Sequence, residues 1–228
     1  MRGGVCFVVG AGAVLPRALG HYCFHRLVTN GTETEPWQYV RNVTAGPATY
    51  TIPNLPLYQE NPMLDVNSEN MRCGRNATIS GRGSDVATVV AGGTVGFLSS
   101  SMIGRDFYHP GPGLAYLSKS PLGTDVRDYD GSGEWFKIEE VGLNLTLAGE
   151  PGHEHDAQWM LQGLHEFVIR IPESTPPGEY LLRAEQIYPW AKWNETQFFV
   201  NCAQINILGP GGGRYPWADC KVSRGLFE

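Results

Sequence analysis

Short runs in which apolar residues take alternate positions dominate the chain and predict β-strands rather than helices. Phe167, Ile169 and Ile171 alternate in this way, and Pro172 ends the run. Further strands are predicted at 87–97 on either side of a Gly-Gly pair, at 114–118, at 143–147, at 180–183 after a Pro-Pro-Gly turn, and at 198–208. The only helix-like pattern is short, at 156–164. This spacing predicts an all-β protein, an antiparallel β-sandwich with long loops.

The first twenty residues have the pattern of a cleavable signal peptide. Arg2 precedes an apolar stretch over 5–15, and the small residues Ala18 and Gly20 follow. Cleavage after Gly20 gives a mature domain at 21–228 whose first residue is His21. We therefore expect a secreted, extracellular protein. The glycines at 10 and 12 resemble a dinucleotide-binding loop, but the third small residue of that motif is missing, and a leader explains the segment better.

Composition and charge restrict the classes of molecule that the chain is expected to bind. The formal net charge of −6 leaves no basic surface and argues against nucleic acid. Outside the leader, no apolar run approaches the roughly 18 residues of a membrane span. Five Asn-x-Ser/Thr sequons predict N-glycosylation at Asn30, Asn42, Asn76, Asn144 and Asn194.

The cysteine count is that of a secreted domain. Cys6 leaves with the leader, and an even number remains in the mature chain: Cys23, Cys73, Cys202 and Cys220. Two disulfides are expected in an oxidising compartment, with three connectivities open. No Cys-x-x-Cys pair is present, so a structural zinc site has no support.

Two histidines form a candidate metal site. A free amino-terminal His21 offers its α-amine and its imidazole, both readily deprotonated near neutral pH. His109 lies in a Tyr-His-Pro-Gly-Pro loop whose backbone is stiff, although a histidine in such a turn is often merely exposed to solvent. Three nitrogen donors of this kind suit copper.

A family resemblance extends over nearly the whole mature chain except its tail. Eight segments carry it in order: HYCFHRLVTNG (21–31), WQYVRN (37–42), DVNSENMRCG (65–74), VAGGTVGF (90–97), HPGPGLAYLSK (109–119), GEWFKI (133–138), PPGEYLLRAEQI (176–187) and QFFVNCAQINILG (197–209). The chain resembles the fungal lytic polysaccharide monooxygenases of auxiliary-activity family nine, formerly glycoside hydrolase family sixty-one.

The resemblance implies an immunoglobulin-like β-sandwich with one copper ion on a flat face. The amine and Nδ1 of His21 and Nε2 of His109 would hold the ion. An external electron donor would reduce it, and O2 or H2O2 would then serve to oxidise C1 or C4 of cellulose or a related β-1,4-glucan. We expect a monomer that acts directly on the polysaccharide surface.

The chain departs from the family at two of the positions near copper. Gln197 is retained and is expected to hydrogen-bond a bound oxygen species. Phe199 stands where the axial tyrosine is usual, and Trp190 stands where a histidine beside the ligands is usual. These changes motivate an alternative, a copper-binding family member without efficient polysaccharide oxidation.

The resemblance also implies a disulfide between Cys73 and Cys202. By exclusion Cys23 would then pair with Cys220 and hold the tail beside the copper face.

Other candidate features are weaker. The tail departs from the family, and Tyr215 or Trp217 would have to replace its flat surface tyrosine. The His-Glu-His triplet at 153–155 is expected to be solvated, and Glu185 lacks the second carboxylate that glycoside hydrolysis needs. A plain sandwich adhesion or carbohydrate-binding module is the third hypothesis, and it predicts no copper binding.

Overall fold

The computed structural model describes residues 21–47, 57–101, 104–145, 158–190, 192 and 194–211. In this part of the chain the strands are β1 (Cys23–Thr29), β2 (Thr32–Glu33), β3 (Ala87–Val90), β4 (Thr94–Ser100), β5 (Gly113–Lys119), β6 (Phe136–Val141), β7 (Leu143–Asn144), β8 (Gln158–Trp159), β9 (Glu166–Arg170), β10 (Gly178–Tyr188) and β11 (Gln197–Leu208). Two single-turn 3₁₀ helices lie at Glu69–Met71 and Gly81–Gly83. No helix in the described ranges is long and apolar enough to span a membrane.

Two sheets pack face to face and enclose one main core. The first has the strand order β2-β1-β4-β9 and the second β3-β11-β10-β5-β6, while β7 and β8 form a separate pair. All neighbouring strands are antiparallel except β3 and β11, which are parallel. Side chains from both sheets meet in the core: Phe24, Phe97 and Phe167 from one, and Leu117, Tyr180 and Ile205 from the other. The predicted β-sandwich is confirmed.

The strand predictions outside 143–147 are confirmed, with one refinement. In β9, Phe167 and Ile169 are buried while Val168 and Arg170 are exposed, as the alternation predicts. The two strands predicted around the Gly-Gly pair are β3 and β4, but they belong to different sheets. Gly92 has a φ of 87°, a conformation that glycine adopts without steric cost, and this turn carries the chain from one sheet to the other. Of the predicted strand at 143–147, β7 covers the first two residues.

The helix predicted at 156–164 is wrong over its described part, which contains β8 followed by turns. The Met160 amide donates to the carbonyl of Gly142, and Gly163 donates to Phe107, so these amides are used in tertiary bonds. Gly163 also has a φ of 81°, which a right-handed helix excludes.

The cysteines are placed as follows. Cys73 and Cys202, 129 residues apart, form a disulfide that ties the loop after the first 3₁₀ helix to β11. Cys23 is a buried thiol at the start of β1. Its proposed partner Cys220 lies outside the described residues, so that pairing stays a prediction.

A buried arginine joins three loops to the second sheet. The guanidinium of Arg41 is fully buried and donates to the Gln204 side chain on β11 and to the carbonyls of Ala77, Val126 and Tyr129. Burial lowers the pKa of Arg41 to about 10, and nearby carboxylates partly offset this effect. Because the guanidinium has acceptors on every side, the burial of this charge is compensated by hydrogen bonds rather than by one ion pair.

Arg41→Leu is expected to lower the free energy of unfolding by roughly 3 kcal/mol or more, because each buried acceptor left without a donor costs about 1–3 kcal/mol. Chemical denaturation measures the change. Arg82→Leu is the matched control, since Arg82 is exposed and forms a surface ion pair with Asp128, which is worth about 1 kcal/mol at most. Equal destabilisation by the two substitutions would contradict the role assigned to Arg41.

Candidate functional site

The candidate site lies at one end of the second sheet, where several strand ends meet. Strands β10 and β11 pair along their whole length, and the last pair joins Tyr188 to Gln197. Gly113, the first residue of β5, pairs with Gln186, which lies two residues before Tyr188 on β10. The loop that precedes β5 and carries His109 therefore reaches the same end, as does His21, just before β1. Sequence-distant residues are thus brought together by strand register.

The two predicted histidines lie side by side. Their ring centres are 5.7 Å apart, and the rings are tilted by 50°. Nε2 of His109 is buried and has no hydrogen-bond partner. Burial lowers the pKa of His109 to about 4, and the neighbouring His21 adds to this shift. Burial also lowers the pKa of His21, against a smaller opposing effect of Asn61. Both imidazoles are therefore neutral at neutral pH, as metal ligands must be.

His21 is oriented by a side chain that the sequence did not identify. Its Nδ1 lies 2.9 Å from Oδ1 of Asn61. Arg75 donates to the backbone carbonyl of Asn61 at 2.7 Å and to that of Pro62 at 2.6 Å, which fixes this loop. In the uncut chain the nitrogen of His21 is part of a peptide bond. A chelate through the amine and Nδ1 therefore requires both cleavage before His21 and release of Nδ1 from Asn61.

The His109 loop is fixed from beneath by β10. Gln186 donates from Nε2 to the carbonyl of His109 at 2.7 Å, and the Ile187 amide donates to the carbonyl of Pro112 at 3.1 Å. Gly111 makes this close approach possible, because a Cβ there would lie 1.7 Å from the Ile187 carbonyl oxygen. The stiff loop predicted from the Pro-Gly-Pro sequence is therefore also anchored by tertiary contacts.

Phe199 lies against both imidazoles from the core side. Its ring centre is 6.0 Å from that of His21 and 5.4 Å from that of His109. It stacks on Tyr22 at 4.3 Å with an angle of 19° between the planes. The side chain places no oxygen near the histidines, so this side of the site is wholly aromatic.

Gln197 and Trp190 occupy different environments. Gln197 is the first residue of β11, and its side chain, close to His21, raises the pKa of that histidine. Its Oε1 is buried without a partner. Trp190 is 48% exposed, and its ring contacts Tyr188 at 5.3 Å rather than either histidine. Tyr188 itself stacks on His109, with ring centres 4.4 Å apart and an angle of 10°. Sequence reasoning missed Tyr188 because the strand predicted at 180–183 stopped short of it.

The donor set fits copper. The two ring centres, 5.7 Å apart, are close enough for both imidazoles to bind one ion through bonds of about 2 Å. Within the described residues no three His, Cys, Asp or Glu side chains are grouped as a metal site. A free amine on His21 would add a third nitrogen to the two imidazoles, and a set of three nitrogens is one that copper favours.

The remaining candidates lie elsewhere or are structural. Glu185 is buried and accepts two hydrogen bonds from Arg183, at 2.8 and 2.9 Å, so it is not free for acid–base chemistry. His165 is exposed beside Asp106, and His25 is half-buried on β1. The triplet at 153–155, Tyr215 and Trp217 lie outside the described residues. All five sequon asparagines are exposed: Asn30, Asn42, Asn76, Asn144 and Asn194.

Comparison with known proteins identifies the family of the chain. The model of Auxiliary Activity family 9 (formerly GH61) matches residues 21–225. The chain is 41% identical over 205 residues to the AA9 family lytic polysaccharide monooxygenase U of Thermothielavioides terrestris, covering 87% of this chain and 74% of that protein. Monooxygenase H of Malbranchea cinnamomea is 37% identical over 205 residues, covering 88% and 78%.

Solved structures of polysaccharide monooxygenases have the same fold as this chain. A cellulose-active polysaccharide monooxygenase from M. thermophila superposes with a TM-score of 0.59 at 25% identity, covering 84% of this chain and 80% of that one. The extended catalytic domain of LPMO9A from H. jecorina superposes with a TM-score of 0.63 at 24% identity, covering 85% and 76%, and shows the fold alone. From its sequence and its fold, the chain belongs to auxiliary activity family 9, the lytic polysaccharide monooxygenases.

Proposed function

We propose that this protein, once cut after Gly20, binds one copper ion and oxidatively cleaves cellulose or a related β-1,4-glucan. The observation that carries the proposal is the pair of neutral imidazoles of His21 and His109, with Nε2 of His109 buried and unpartnered. The relatives named as polysaccharide monooxygenases support the same reaction.

Each residue at the site has a defined task in this proposal. The amine and imidazole of His21 and Nε2 of His109 would hold copper, which would supply one-electron redox chemistry with O2 or H2O2 and an external electron donor. Gln197 presents a buried amide oxygen without a partner, and its amide group is suited to orient the oxygen co-substrate by hydrogen bonding. Phe199 and Tyr22 exclude water from the core side of the histidines.

The fold suits a substrate that cannot enter a pocket. The histidines lie at the end of a sandwich whose strands and hydrogen-bonded loops fix their backbone, so the site can be brought to a polysaccharide surface without rearranging the fold. We further propose that the protein is secreted as a monomer and carries glycans at the exposed sequons.

The proposal predicts that copper binding depends on the exact amino terminus. The chain beginning at His21 is expected to bind Cu(II) tightly, whereas the same chain with one extra glycine before His21 loses the terminal chelate. Since losing even a supporting group costs 10- to 100-fold, the extended chain and His109→Ala should each bind about a hundredfold more weakly or worse. Isothermal titration measures the affinity, and mass spectrometry detects oxidised oligosaccharides from cellulose with ascorbate.

His165→Ala is the matched control, because that histidine is exposed and lies beside Asp106, away from the site. It should bind copper like the parent chain. Failure of the correctly trimmed protein to bind Cu(II), or retained affinity in both the extended chain and His109→Ala, would overturn the proposal.

The second candidate function is copper binding without efficient polysaccharide oxidation. It rests on Phe199, which offers no oxygen to the site, and on Trp190, whose indole donates a hydrogen bond but cannot shuttle a proton. In this case the trimmed protein binds copper tightly yet releases no oxidised sugars from several β-glucans.

Phe199→Tyr and Trp190→His test these two departures separately. Since the Phe199 ring contacts both imidazoles, a hydroxyl added there should change the copper EPR spectrum. Trp190 contacts Tyr188 and not the histidines, so a histidine there should change the rate by far less than the about hundredfold effect of a well-placed general acid. A large gain from Trp190→His would contradict the position that the structure gives to residue 190.

A further inference from the structure

We infer that Tyr188 is a positioning residue for His109, fixing the imidazole by stacking rather than by a hydrogen bond. The inference deepens the proposed function and rests on it, because it takes His109 as a copper ligand. It concerns a side chain that lies beyond the strand predicted from the sequence.

The usual restraint on a metal-binding imidazole is missing at His109. Such a histidine normally donates its second ring nitrogen to a carboxylate, a carbonyl or a water, which sets the orientation of the ring. Among the described residues, neither ring nitrogen of His109 has a protein hydrogen-bond partner. Only the backbone of this residue is held, by the bond from Gln186 to its carbonyl at 2.7 Å. No hydrogen bond to another described residue therefore sets the rotation of the ring.

Tyr188 supplies the closest contact to that ring. The two ring centres are 4.4 Å apart and the planes are within 10° of parallel, as in an aromatic stack. Phe199 is the next neighbour, 5.4 Å away with an angle of 24°. The imidazole thus contacts two aromatic rings whose planes are close to parallel with its own, and rotation about its Cβ–Cγ bond would disturb both contacts.

Tyr188 is itself well fixed. It is the last residue of β10 and pairs with Gln197, whose side chain acts on the pKa of His21. The ring edge of Trp190 packs on it at 5.3 Å with an angle of 66°. The final pair of the β10–β11 ladder therefore places Tyr188 beside His109 and Gln197 beside His21.

The test compares Tyr188→Leu with Tyr188→Phe in the correctly trimmed protein. Leucine keeps apolar bulk but removes the stack, so copper affinity should fall between about threefold and about tenfold, the range of an aromatic pair. The Cu(II) EPR spectrum should broaden because the imidazole samples several orientations. Phenylalanine keeps the stack and should restore both the affinity and the spectrum.

A second readout needs no copper. In the metal-free protein, the NMR resonances of the His109 ring protons should carry a ring-current shift from Tyr188. That shift should persist in Tyr188→Phe and disappear in Tyr188→Leu, while thermal unfolding reports that each variant is folded.

The outcomes separate the two proposals. If the parent protein binds no copper while the ring-current shift is present, the proposed function fails and the stack stands. If the parent binds copper and folded Tyr188→Leu matches it in affinity and EPR spectrum, the role of Tyr188 is overturned. That role is likewise overturned if Tyr188→Phe is as impaired as Tyr188→Leu, since the hydroxyl rather than the stack would then matter.

Discussion

The ladder between β10 and β11 is the constraint on which the rest of the structure depends. It runs unbroken from the pair of Gly178 and Ile207 to the pair of Tyr188 and Gln197. Cys202, which forms the disulfide, lies near the middle of the ladder. Gln186 and Phe199 form a pair near its end, beside the histidines. A shift of one residue in this register would move every one of these side chains to the opposite face of the sheet.

Buried polar side chains attach the long loops to this ladder. Arg41 and Gln204 hold the loops around 77–85 and 126–129, and Arg183 holds the carbonyls of Met71 and Arg72. Apolar side chains of the same loops, such as Val126, Tyr129 and Met71, are buried against the sheet as well. The hydrogen bonds add to this packing, and their loss inside the core is costly. That rigidity is what allows two histidines on separate loops to keep one geometry.

The sequence predicts the fold better than it predicts the site. Alternation identifies β9 because one face of that strand is buried, and this local signal needs no knowledge of partners. It does not say that β3 and β4 join different sheets, since that depends on which strand each one meets. The contacts of Asn61 with His21 and of Tyr188 with His109 are of the same kind. They join loops and strand ends that are far apart in the chain, so no local sequence pattern predicts them.

In the proposed function, His21 lacks two of its requirements for copper until the leader is removed. Its backbone nitrogen is in a peptide bond with Gly20, and an amide is a far poorer donor than a free amine. Its Nδ1, the atom expected to complete the chelate, hydrogen-bonds to Asn61 instead. His109 is meanwhile already in place, with Nε2 bare and its ring stacked. In that proposal one half of the site is built by folding, and cleavage would complete the other half by giving His21 a second nitrogen donor on the same residue.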